Sequence, residues 1–175
     1  MLYRERLSTK STGQKEYEGQ TADGVEIPPI LMRAVDEHTD SLEIALRSIK
    51  YLPSEFQFSL NKYFHPAYSN TCLQNLVYGM KSLRSGTLPN KAELLIIACP
   101  HDMLHDLAFG LRSAAACESI PGDVRTNLSD ISARLDEASK AMTWRGCYGV
   151  RGWAEDTVDR FYPEASDGLI PSSAV

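Results

Sequence analysis

The feature that most constrains this chain is a spacing. Starting at Pro28-Pro29, the residues Leu31, Val35, His38, Leu42, Ala45, Ile49 and Leu52 recur at alternating intervals of four and three. Such a rhythm puts one apolar stripe along an α-helix, because side chains three and four apart lie on the same face. Pro29 suits a first helical turn, where its missing N–H has no partner to lose, and Pro53 stops the run. A helix of about 22 residues would span about 33 Å. The same rhythm returns later in Val124, Leu128, Ile131, Leu135, Ala138 and Met142, with charges between them, and predicts a second long helix over 122–143. A strand has a period of two and cannot place either set on one face.

Between these seams the punctuation predicts further helices. Phe56, Leu60 and Phe64 suggest a short one that ends before Pro66. Leu73, Leu76, Val77, Met80 and Leu83 predict a helix over 69–85, with Gly86 as its C-terminal cap. Asn90 followed by Glu93 has the pattern of a capping box and starts a helix over 90–117. Leu94 to Cys99 could alternatively form a buried strand, but no second strand of that type exists to pair with it. On the helical reading Pro100 breaks or kinks the run and restarts it as a first-turn proline, and Leu104, Ala108, Leu111 and Ala115 then form one stripe. The expected core comprises Leu42, Ile49, Leu76, Met80, Leu104, Leu111, Leu128, Ile131 and Leu135.

These elements predict a mainly α fold: an antiparallel helical bundle of five or six helices joined by short Pro/Gly/Ser connectors. The organisation expected is a polar N-terminal arm over 1–28, the bundle over 29–143, and a Gly/Arg/Trp loop, short helix and tail over 144–175. The arm is rich in Thr, Ser, Gly, Gln and Glu and shows no periodicity. The short helix is expected over 154–161.

Composition narrows function more by exclusion than by indication. A formal net charge of -5 gives no bulk attraction to nucleic-acid phosphates. The longest apolar run, Leu94 to Cys99, is far short of the roughly 20 residues of a membrane span. The first ten residues lack the apolar segment of a signal peptide, so a cytoplasmic setting is expected. The four cysteines, Cys72, Cys99, Cys117 and Cys147, form no C-x-x-C pair and read as thiols.

Three groups of residues suggest chemistry. In Cys99-Pro-His-Asp-Met-Leu-His-Asp106, His101 and His105 lie one helical turn apart. That is half of a site for zinc or another transition metal, to which Cys99 or Cys117 could add a thiolate. Their alternative role is structural, with His101 continuing the apolar stripe and Asp102 and Asp106 favoured in a first helical turn. Cysteine catalysis would need a base beside Cys99 or Cys147 in space. Finally, Trp144, Arg145, Tyr148, Arg151 and Trp153 gather in ten residues the side chains enriched where proteins bind one another. Stacking on single-stranded nucleic acid is a second use for such a loop, and closing the end of the bundle is a third. His38, polar within an apolar seam, is the kind of residue that fixes register or partner choice.

The expected function is that of a non-enzymatic interaction protein: an adaptor, inhibitor or assembly subunit binding a protein partner or a second copy of itself. It shares its lack of chemical landmarks with small helical proteins of mobile genetic elements. No cofactor is expected on that reading. The alternatives are a metal-binding or metal-dependent protein using His101 and His105, and a nucleic-acid-associated subunit.

Overall fold

A computed structural model describes residues 5–7, 15–17, 20–52, 70–144 and 148–163. Two hairpins precede six helices among them. Strands β1 (Glu5–Leu7) and β2 (Lys15–Tyr17) pair antiparallel, as do β3 (Gln20–Ala22) and β4 (Val25–Ile27). The helices are α1 (Pro29–Lys50), α2 (Asn70–Ser85), α3 (Lys91–Ala98), α4 (His101–Ala115), α5 (Gly122–Ala141) and α6 (Tyr148–Phe161). The fold is an antiparallel, mainly α helical bundle. The short helix expected around Phe56 to Phe64 lies outside the described residues.

The polar contacts between helices fix their directions. On α1 and α2, Glu43 meets Lys81 at 2.7 Å and Asp40 meets Arg84 at 2.9 Å, so the two run antiparallel. The α4–α5 pair is likewise antiparallel. Ser132 Oγ donates to the Ala108 carbonyl at 2.8 Å, and one end of the pair is joined by His101 and Ser139. Arg134 of α5 donates to Ser41 of α1 at 3.2 Å, which ties the two seam helices together. Every expected core residue is buried, none more than 1% exposed.

The punctuation works largely as expected. Gly86 has φ +85, its N–H bonds to the Leu83 carbonyl, and Thr87 N–H reaches back to Ser82. This is the paired bonding that closes a helix on a left-handed residue. Asn90 Oδ1 accepts from Glu93 N–H at 2.9 Å, and Glu93 Oε1 accepts from Asn90 N–H at 3.0 Å. Gly79 of α2 packs closely against α3. A Cβ there would sit 3.0 Å from Glu93 Cβ and from Ile97 Cδ1.

The interruption expected at Pro100 divides 90–117 into two helices bent by 79°, and two other expectations need adjusting. Cys99 before the proline takes an extended φ of -144, since a residue preceding proline is pushed out of the helical region. Part of the expected arm is a hairpin. Ala22, Val25 and Ile27 are buried, while Asp23 and Gly24 at φ 52 and 83 form the tight turn that an Asp-Gly pair favours. The loop expected from residue 144 gives way to helix at Tyr148. Val150, Ala154, Thr157 and Val158 supply a buried stripe at three- and four-residue spacing, and that outweighs the helix penalty of Gly149 and Gly152. Among the described residues, no single helix is long and apolar enough to cross a membrane.

Candidate functional site

The turn between α3 and α4 opens a cleft of 320 Å³. Ala98, Cys99, Pro100, His101 and Asp102 form one side, Thr143 and Trp144 another, and Arg151 of α6 a third. Two groups flagged separately in the sequence, the Cys-Pro-His-Asp segment and the Trp/Arg segment, therefore share one space.

Each wall has a physical cause. Trp144 is only 8% exposed and donates its indole N–H to the Ile97 carbonyl at 2.9 Å. That carbonyl lies in the last turn of α3, where intrahelical partners run out. Trp144 holds this position from a left-handed backbone, φ +55, which costs a non-glycine residue about 1–2 kcal/mol. Burial of the indole and the capped carbonyl offset that cost. At the opposite wall, His101 Nδ1 lies 2.9 Å from the Ser139 carbonyl. A carbonyl oxygen can only accept, so this bond forms in the tautomer that carries its proton on Nδ1. In the neutral ring Nε2 is then left with its lone pair. Ser139 Oγ also lies 2.9 Å from Nδ1, and its hydroxyl reaches the His101 carbonyl at 3.3 Å. Ser139 is 1% exposed and so fixes the imidazole from inside the core. Nothing in the sequence marked it, although Ser132 and Ser139 lie seven residues apart on the buried face of α5.

Cys99 caps the end of α3 with its side chain exposed. Cys72 and Cys117 are half-buried, with Cys117 Sγ 3.0 Å from Ser119 Oγ. Cys147 lies outside the described residues. Arg151 pairs with Glu155 through Nε at 3.5 Å.

The remaining flagged residues fall elsewhere. His105 stacks on His101 with ring centroids 5.9 Å apart and planes at 22°. Among the described residues, no third His, Cys, Asp or Glu joins them in a group able to hold a metal ion. His38 is half-buried in the seam beside Glu37, 3.9 Å away. Of the five residues expected to form one binding patch, Trp144 is a buried wall. Arg145 and the Tyr148 side chain lie outside the described residues. Arg151 and Trp153, two apart on α6, face different ways. Trp153 stands at the corner between α6 and the β3–β4 hairpin and lines two shallow grooves. One, of 310 Å³, is shared with Glu26, Ile27, Pro28 and Pro29. The other, of 240 Å³, includes Val25, Asp156, Arg160 and Phe161. The Trp153 indole N–H is out of reach of water and meets no acceptor among the described residues.

No family model, curated protein or solved structure matches this chain.

Proposed function

We propose that this protein acts by contact, as a helical scaffold whose α6–hairpin corner binds a protein partner or a second copy of the chain. The observation that carries the reading is Trp153. Its large indole is half-buried between two grooves, with the N–H edge turned inward where it meets no acceptor among the described residues. Around it lie the ingredients of a binding rim: exposed Phe161, Arg160 over the Phe161 ring at 4.8 Å, and the carboxylates of Glu26 and Asp156. Tryptophan in such a setting dominates binding energies where proteins meet. A cytoplasmic location belongs to this reading, supported by the thiol-bearing cysteines and the acidic charge.

The test places a photo-crosslinking amino acid at position 161, beside the grooves, and at position 51 as a distant control, with sedimentation of the intact chain alongside. A discrete adduct from position 161, absent from position 51 and lost in Trp153→Ala, supports the proposal. A monomer that gives no adduct beyond the control ends it.

A further inference from the structure

We infer that the α3–α4 cleft is a thiol-exchange site, where Cys99 forms a mixed disulfide with a small zwitterionic disulfide of the amino-acid class. The site is independent of the Trp153 corner and stands whatever becomes of that reading.

Four observations converge on one space. Cys99 presents an exposed thiol, which thiol–disulfide exchange requires. His101 lines the same cleft with Nδ1 2.9 Å from the buried Ser139 carbonyl, and in the tautomer that donates to this carbonyl Nε2 is able to accept a proton. The volume of 320 Å³ matches the small end of ligand clefts, about 300–1,000 Å³. Finally, the rim carries one charge of each sign. The Asp102 carboxylate lies in the first turn of α4. On α6, Arg151 uses only Nε toward Glu155 and keeps its terminal nitrogens without a partner among the described residues. A ligand bearing both an ammonium and a carboxylate meets both, whereas a purely cationic or purely anionic disulfide is repelled by one of them. Trp144, fixed by its bond to Ile97, gives the ligand's methylenes an apolar wall.

The step balances without a further reagent. The Cys99 thiol gives its proton to His101 Nε2, and its sulfur attacks one sulfur of the disulfide. A new S–S bond forms and the ligand's own S–S bond breaks. The departing thiolate then takes the proton from Nε2 and leaves as a free thiol. Cys99 is oxidised to the mixed disulfide and half of the ligand is reduced.

The experiment exposes the full-length chain separately to L-cystine, cystamine (a dication) and dithiodiglycolate (a dianion), and maps adducts by peptide mass spectrometry. A synthetic peptide covering 95–103 supplies the reactivity of the unstructured thiol. Cys99 is expected to react roughly tenfold faster than Cys72 or Cys117. Relative to the peptide, it should prefer L-cystine over both other reagents. Asp102→Asn and Arg151→Met, each checked for intact fold by circular dichroism, should erase that preference, while His101→Gln slows all three reactions. The inference is overturned if Cys99 in the folded chain shows the peptide's order of preference, or if the charge variants keep the parent's selectivity. It is equally overturned if Cys99 reacts no faster than Cys117.

Discussion

Trp144 reaches from a left-handed backbone, φ +55, to cap the Ile97 carbonyl at 2.9 Å, and this one bond joins the end of α5 to the end of α3. Trp144→Phe keeps most of the apolar area but leaves the carbonyl unpaired, so it should cost about 1–3 kcal/mol. Trp144→Ala also empties the wall of the cleft and should cost about 3–5 kcal/mol. Urea denaturation of both variants checks the order. Equal losses would mean that the hydrogen bond contributes nothing.

Glycines on two helices should respond oppositely to alanine. At Gly79 the added Cβ meets Glu93 and Ile97 at 3.0 Å, so overpacking of about 1–3 kcal/mol outweighs the helix-propensity gain. At Gly149 the Cβ meets nothing, and the same change should stabilise α6 by about 0.5–1 kcal/mol. Denaturation midpoints give both signs. A stabilised Gly79→Ala would show that α2 and α3 are less closely packed than described.

Lys81 bonds to Glu43, and with Arg47 beside it holds that carboxyl below its ordinary value of 4.5. A lowered carboxyl pKa means stability that is present above the unfolded value and lost as pH falls through the folded one. Lys81→Met should therefore destabilise the chain near neutrality, by about 1 kcal/mol or less for so open a pair. The difference from the parent should close as the solution is acidified below 4.5. A gap that stays constant with pH would assign the effect to packing instead.

The bundle was legible because its long helices carry redundant signals. α1 has a seam of seven positions and a proline at each end, and α2 and α3 have the cap residues their termini require. The hairpin was not. Its strands have three residues each, too few to show a period, and only Asp23-Gly24 announced the turn. α6 was misread at its start because Gly149 and Gly152 resemble a loop locally, whereas the buried Val150, Ala154 and Val158 that hold it helical matter only once α3 is beside them. The cleft was half legible. Cys99, His101 and Asp102 stood out as neighbours, but their meeting with Trp144 and Arg151 depends on the 79° bend at Pro100, whose size no local rule sets.

The hairpin divides the N-terminal segment into parts with different roles. Removing residues 1–18 should leave thermal stability nearly unchanged. Removing residues 1–27 deletes Ala22, Val25 and Ile27, which are buried against the helices. At about 1.5–3 kcal/mol for each larger apolar side chain, that loss should lower the melting temperature clearly. Equal melting temperatures for the two truncations would mean that the β3–β4 hairpin adds no stability.

Arg151 and Trp153 give the sharpest separation of the two proposed sites. They are two residues apart in sequence, yet two residues on an α-helix are about 200° apart around its axis, from about 3.6 residues per turn. Arg151 accordingly lines the cleft with Cys99 and His101, and Trp153 lines the grooves beside the hairpin. Sites that share no partner respond additively. Trp153→Ala should weaken partner association by about 2 kcal/mol or more and leave the exchange chemistry of Cys99 as it was. Arg151→Ala should alter the ligand preference of Cys99 and leave association intact. The double variant should show both defects at their single-variant sizes. Association measured by sedimentation and adduct formation measured by mass spectrometry read the two independently. If Arg151→Ala alone abolished association, or Trp153→Ala alone changed the ligand preference of Cys99, the two faces of α6 would act as a single site and their separation would be wrong.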